Sequence, residues 1–307
     1  MNKKGFLSTS MVYSFFLIFL MLLIFIVANL INNRTLVSRI NTEIKESIYN
    51  SSFSGFLINE FKDGNITDLV YHNNSEDLSD NSYRYVGANP NNYVCFGATN
   101  PCPEANLYRI IGIIDGKVKL IKNTPITNFA IDDVTSNYVA TDLANYLNYP
   151  SDGTSFYDSL GNYTDLIATT SWHIGGINSL PTEKIDIYNL EMASSTVLRQ
   201  VGLMYISDYL YASDTDNNNW LNVSSNTWVI TKYSEPTTPE DPEESSEEEE
   251  TPQIHEYYYI DSSGNILRSN ITSAFNIQPV FYLKNNVQRI SGNGELTNPY
   301  IIGGNNV

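Results

Sequence analysis

Four hydrophobic patterns follow one another along the chain, and each predicts a different kind of element. From Met11 to Ile31 no side chain is charged. About 20 such residues, rising 1.5 Å each, cross the hydrocarbon core of a bilayer. Soluble core helices rarely stay apolar on every face for so long. A cleaved secretory signal would have a shorter apolar core and a small-residue cleavage site, and Asn29-Leu30-Ile31-Asn32 is a poor one. The pattern therefore predicts a tail over 1–7 and an uncleaved transmembrane helix over 8–31. Beyond it Val37, Ile40, Ile44 and Ile48 recur at three- and four-residue steps, with Arg39, Glu43, Lys45 and Glu46 between them. This amphipathic stripe predicts an extension over 32–63, one long helix from about Ser8 to Tyr49 or as far as Phe61. Phe53, Phe56, Leu57 and Phe61 favour packing of its second half on the following domain over a free stalk.

Residues 64–82 are polar and broken by Gly and Asn, and they read as a linker in which His72 has no role. From Tyr83 the pattern is that of strands. Tyr85-Val86 and Tyr93–Phe96 surround an Asn-Pro-Asn-Asn turn. Leu107–Lys122 reads as a hairpin about Asp115-Gly116, with Lys117 and Lys119 marking a watery face. Thr141 caps a helix to Asn148, and a second short helix lies near Ser155–Leu160. A strand near Leu166–Trp172 ends in a turn at His173–Gly176, residues 182–200 turn helical toward Glu191, and Trp220 and Trp228 bracket a core-lining segment. Ser234–Gln253 holds acids and prolines and no apolar residue, so it reads as a disordered insertion. Strands resume at Tyr257, Ile277 and Asn298. The fold class is α+β: a long N-terminal transmembrane helix, then a mixed, mainly antiparallel β domain with short helices over 83–302, with a tail over 303–307.

Charge narrows the partners. The chain has 34 acids against 17 bases, a formal net charge of −17, which argues against nucleic acid. Lys3 and Lys4 lie on the short side of the apolar span and Arg34, Arg39 and Lys45 on the long side, so basic residues alone do not orient it. The acidic, Tyr- and Asn-rich remainder fits a short tail inside the cell and a domain outside. There Cys95 and Cys102 would close a small disulfide loop, which is favoured over free thiols. Their spacing is too wide for a redox dithiol, and no zinc-ligand set lies nearby.

Candidate chemistry is sparse. His72, His173 and His255 lack a recognisable nucleophile partner, and no phosphate loop or metal-ligand spacing is present. A non-catalytic protein is expected. Tyr205, Asp208, Tyr209, Tyr211 and Trp220 combine aromatic rings with an acid, as sites for sugars or peptides do, although filling the core of a Tyr-rich domain is the preferred account. Asp214 and Asp216 offer oxygen ligands for Ca²⁺ without the Gly and Glu of an EF-hand loop, so a polar turn is favoured and no cofactor is expected.

Two resemblances add to this. Lys4-Gly5-Phe6 ahead of an apolar helix that continues as an amphipathic one resembles the start of a type IV prepilin or pseudopilin. The resemblance implies cleavage between Gly5 and Phe6 and packing with other pilin-like subunits. That family carries a Glu where this chain has Ser10. Further on come Asn92-Tyr-Val, Tyr108–Gly112 with its Asp-Gly hairpin, Leu147-Asn148, Gly202–Asp208, Trp220, Trp228, Pro279–Lys284 and Asn298-Pro-Tyr300. Their order resembles a bacterial domain family of unknown function found in surface and pilin-like proteins. That family is similar to C-type-lectin-like and sulfatase-modifying-factor-like modules, and it has Arg where Gln278 stands. The resemblance implies a lectin-like twisted mixed sheet with two short helices and long loops. The resulting expectation is a single-pass cell-surface protein with its C-terminal domain extracellular, a pilin-like subunit or adhesin that binds a glycan or peptide. A surface enzyme and a ligand-free structural protein remain as alternatives.

Overall fold

The computed structural model describes residues 9–72, 81–135, 137–235 and 255–304. The chain forms two compact units, Met1–Asn50 and Ser51–Val307. The first is a single helix, α1 (Thr9–Ser51). Its stretch Met11–Ile31, 21 residues, is long and apolar enough to cross a membrane, and none of it is buried. The leader around Gly5 and Phe6 lies outside the described residues, as do the side chains of 35–50 on which packing of the amphipathic stripe was expected.

The helix does not run on to Phe61. Ser52 turns to extended backbone, and its hydroxyl accepts the Gly55 N–H at 3.0 Å, capping a separate helix, α2 (Phe53–Lys62). A serine at that point offers the amides of the next turn a partner that an uninterrupted helix would not need, so the break is local chemistry. Phe53, Leu57 and Ile58 are buried in the domain core, with Phe56 and Phe61 packed against it.

The expected linker contains a strand, β1 (Leu69–Tyr71), which pairs antiparallel with β2 (Tyr83–Tyr85). Only Leu69 of β1 is buried, which is too little pattern to reveal a strand in sequence. His72 is also buried, edge-on to the Tyr211 ring at 5.0 Å, and is no surface residue. Then come β3 (Tyr93–Cys95), β4 (Leu107–Ile114) and β5 (Lys117–Lys122). Asp115 and Gly116 take φ of 51° and 71°, and they close the β4–β5 hairpin. Lys119 does not face water: its relative exposure is 0%. The reason is that β5 lies inside the sheet, between β4 and a later strand, and carries Lys119 onto a buried acid.

The chain continues through β6 (Ile126–Phe129), α3 (Asp142–Asn148), α4 (Phe156–Leu160), β7 (Thr170–His173) and α5 (Lys184–Met192). The Thr141 hydroxyl accepts the Ala144 N–H at the start of α3. The strand expected over Leu166–Trp172 is shorter and later: Gly161–Leu166 forms a 3₁₀ turn and His173 ends β7. Next are β8 (Thr196–Arg199), β9 (Val201–Gly202), α6 (Ile206–Leu210), β10 (Thr227–Lys232), β11 (Glu256–Ile260) and β12 (Ile266–Asn270). The last strands are β13 (Phe275–Ile277), β14 (Val280–Tyr282), β15 (Gln288–Ser291) and β16 (Tyr300–Gly303).

The larger sheet runs β15-β16-β3-β4-β5-β14-β9, with β2 on the free half of the β4 edge and β1 beyond it. Its pairs are antiparallel except β16 with β3. The second sheet runs β12-β11-β10-β13-β6, and β7 with β8 forms a ribbon. Strands β10 and β11 pair antiparallel, Thr227 opposite Ile260 and Lys232 opposite Tyr257, so the acidic run is inserted between hydrogen-bonded neighbours. Its residues 236–254 lie outside the described residues. The whole is α+β, an apolar helix followed by a mainly sheet domain.

Candidate functional site

The short helix α6 carries Asp208 and Tyr209 and is flanked by Tyr205 and Tyr211, four of the seven residues nominated from sequence as ligand-binding, and two buried acids fix its first turn. Glu191, on α5, accepts the Ile206 N–H at 2.9 Å and the Ser207 N–H at 3.2 Å, and the Thr231 hydroxyl donates to it as well. Asp208, in the first turn of α6, reaches back to accept the Tyr205 N–H at 2.9 Å, as a capping-box acid does. The same carboxylate meets two cations. Arg84 Nη1, from β2, lies 3.0 Å from Oδ1, and Lys119 Nζ, from β5, lies 2.5 Å from Oδ2.

All three charged side chains are buried, and burial alone penalises each charge. Burial pushes the Asp208 carboxyl up, but Lys119 and Arg84 outweigh it and hold the acid below the usual range. Burial makes the Lys119 ammonium more acidic than a surface lysine, against the pull of Asp208. Glu191 moves the other way: burial raises it, against the hydrogen bonds of Ser207 and Thr231. The Lys119 ammonium sits among the rings of Tyr205, Tyr282 and Trp172, with centroids at 4.6, 5.2 and 5.6 Å. Three separate elements are thereby pinned to one carboxylate.

A cavity of about 290 Å³ opens beside this centre, lined by Lys119, Tyr205 and Asp208 together with Ser171, His173 and Tyr188. Of the residues nominated as ligand-binding, Tyr205 and Asp208 reach it. The others serve the core or a turn. The Tyr209 hydroxyl donates to Asn222 at 2.8 Å, Trp220 Nε1 donates to the Tyr85 carbonyl at 2.8 Å, and Tyr211 packs on His72 and under Lys184. Asp214 accepts the N–H groups of Asp216 and Asn218, both at 2.9 Å, and the side-chain amide of Asn218, which together hold its carboxyl below the usual range. Asp214 is thus spent on a turn. Among the described residues no group of three or more His, Cys, Asp and Glu could hold a metal ion.

Arg84, Lys119 and Glu191 were not nominated from sequence. Asp208 is the only acid in the apolar run Val201–Ala212, which is a signal that it needs a partner. Its partners lie 89 and 124 positions away, and nothing local names them.

A larger groove, about 560 Å³, lies elsewhere on the domain. Phe96, Gly97, Asn106, Tyr146, Asn162 and Tyr163 contribute to its lining, and no acid among the described residues does. Gly97, at φ +80°, lets the Tyr163 ring close in: a Cβ there would stand 3.1 Å from Cδ2. Phe96 and Gly97 belong to a loop that a disulfide between Cys95 and Cys102 closes, with the Cα atoms 5.7 Å apart. No family model matches the chain, and neither a curated protein nor a solved structure matches it.

Proposed function

We propose that this chain is a single-pass surface protein: α1 holds it in the bilayer, and the acidic domain stands outside the cell, where it binds a ligand and performs no chemistry on it. The observation that carries this reading is the exposure of Met11–Ile31 on every face, in a chain whose following domain has its own core. Each large apolar side chain left in water forfeits about 1.5–3 kcal/mol of burial, so such a helix requires a lipid or protein environment. A disulfide and an excess of acids support placement outside, where oxidising conditions hold. The groove beside the disulfide loop, aromatic and lined by no acid among the described residues, is the surface best suited to a glycan or peptide.

The finer readings belong to the same proposal. The order of motifs from Asn92 to Tyr300 supports a lectin-like module, and the unbroken helix from Thr9 to Ser51 behind Lys4-Gly5-Phe6 supports a pilin-like subunit. Protease treatment of intact cells, with a tag at each end, tests the topology. The C-terminal tag should be lost; the N-terminal tag should be kept, unless cleavage between Gly5 and Phe6 has already removed it. An intact-mass measurement of the mature protein tests the pilin reading, which requires an N-terminus at Phe6 and fails with one at Met1.

A further inference from the structure

The groove beside the disulfide loop differs in charge from the rest of the molecule. The chain carries 34 acids against 17 bases, yet among the described residues Lys122 is the single charged side chain in the groove's lining. It ends β5, and its half-buried ammonium donates to the Ala105 carbonyl at 2.7 Å and lies 5.2 Å from the centre of the Tyr108 ring. It forms no ion pair among the described residues. Two acids border the lining, and both are engaged. Glu104 accepts the Thr124 hydroxyl at 2.9 Å, and Asp158 accepts the N–H groups of Ser151, Gly153 and Ser155 at 2.8, 3.1 and 3.2 Å. Burial lowers the pKa of Lys122, against the pull of Glu104. An ammonium that has lost part of its hydration without gaining an anion is a charge that a ligand can complete.

The same wall holds a second unmet group. Tyr108 is 3% exposed and its hydroxyl has no hydrogen-bond partner among the described residues, but unlike the hydroxyls of Tyr85 and Tyr138 it is not sealed from solvent. Burial keeps this phenol protonated at any physiological pH, so it offers a donor. The exposed Asn162 and the half-buried rings of Tyr146 and Tyr163 belong to the same lining.

Given that the groove is the ligand site, as proposed above, we infer that it takes an acidic sugar, a hexuronate unit of a glycan, whose carboxylate accepts from Lys122 and whose hydroxyls meet Tyr108 and Asn162. One lysine suits a monoanion. Phosphate groups favour arginine forks, and no arginine lines the groove among the described residues. An acidic peptide would also bring backbone groups that need a strand edge to pair with, whereas a pyranose needs ring faces and a few scattered polar partners. The volume, about 560 Å³, lies within the range of small-molecule sites, about 300–1,000 Å³. Acids elsewhere on the chain do not cancel the local attraction, because charge beyond about 8 Å is largely screened at physiological salt.

The test uses the full chain in phosphatidylcholine nanodiscs, titrated calorimetrically with disaccharides of galacturonate, mannuronate and glucuronate, each beside its neutral methyl ester. At least one acid should saturate, and its ester should bind about tenfold more weakly. Lys122→Gln should weaken binding of the acid by about the same factor, and Lys122→Arg should retain most of it. Tyr108→Phe should weaken it about threefold. Hydrogen exchange at Gly97 and Asn162 should slow on binding. The inference is overturned if no acid saturates, if Lys122→Gln binds as the wild type does, or if protection falls outside the groove. Should Lys122→Gln melt well below the wild type, the comparison of acid with ester on the wild type decides. Equal binding of acid and ester overturns the inference but leaves the groove a glycan site. Tighter binding of a glutamate-containing tripeptide than of any acid overturns the choice of a sugar. Absence of binding by acids, esters and tripeptide alike removes the reading of the groove as the ligand site as well.

Discussion

Lys119 Nζ lies 2.5 Å from Asp208 Oδ2, and neither side chain exposes more than 1% of its surface. Removing one member of a buried ion pair costs about 3–5 kcal/mol where charge is left uncompensated. Asp208→Asn takes the shared acid from both Lys119 and Arg84, and it should lower the unfolding free energy by about that amount. Chemical denaturation of the variant and the wild type measures it. A loss below about 1 kcal/mol would show that the pair does not hold β5 to α6.

Acid dependence follows from the buried carboxylates. Asp132 accepts the N–H groups of Val134, Thr135 and Asp142, at 2.7, 2.9 and 2.9 Å. Burial pushes its carboxyl up, but these amides outweigh burial and hold it below the usual range. A depressed acid contributes stability above its unfolded value, near pH 4, and that contribution is lost as pH falls through the folded value. Asp208 behaves in the same way. Asp132→Asn should thus flatten the stability curve below about pH 4. Thermal melts across pH 2–6 would show parallel curves for the two proteins if the account were wrong.

Glu191 should act in the opposite direction. Its folded value is raised by burial, so its contribution is full below the unfolded value, near pH 4.3, and is lost as pH rises through the folded one. Stability of the wild type should therefore drift downward relative to Glu191→Gln as pH rises from about 4.5 to 8. An equal slope in the two proteins would mean that Glu191 stays ionised in the fold.

The disulfide bears on the groove. Cross-linking Cys95 to Cys102 restrains a short loop, for which chain entropy predicts about 2–3 kcal/mol. The Cys95→Ser, Cys102→Ser double variant should lose that much stability. Hydrogen exchange should rise first at Phe96 and Gly97, the loop residues that line the groove. Uniform exchange across the domain would detach the loop from the groove.

How far the sequence discloses this protein depends on where each cause lies. The β4–β5 hairpin is legible because Asp115-Gly116 supplies the positive φ angles the turn needs, and α3 because Thr141 caps it. Both causes sit within a few residues of their effects. Strand β1 is hidden because Leu69 is its single inward residue, and the break at Ser52 because a capping serine reads like any polar residue on a helix face. Lys119 is misread as solvent-facing because alternation along a strand marks two faces without saying what covers them. Asp208 stands out as a lone acid in an apolar run, yet Arg84 and Lys119 come to it only through the tertiary fold.

The central claim is that Met11–Ile31 stays in lipid and carries the folded domain with it. Alkaline washing of membranes from cells that express the full chain, beside a chain lacking residues 1–33, tests this directly. The full chain should stay in the membrane pellet, and the shortened chain should be released as a folded, soluble domain. A full chain that washes off the membranes, or that is found in the soluble fraction from the start, would contradict the account.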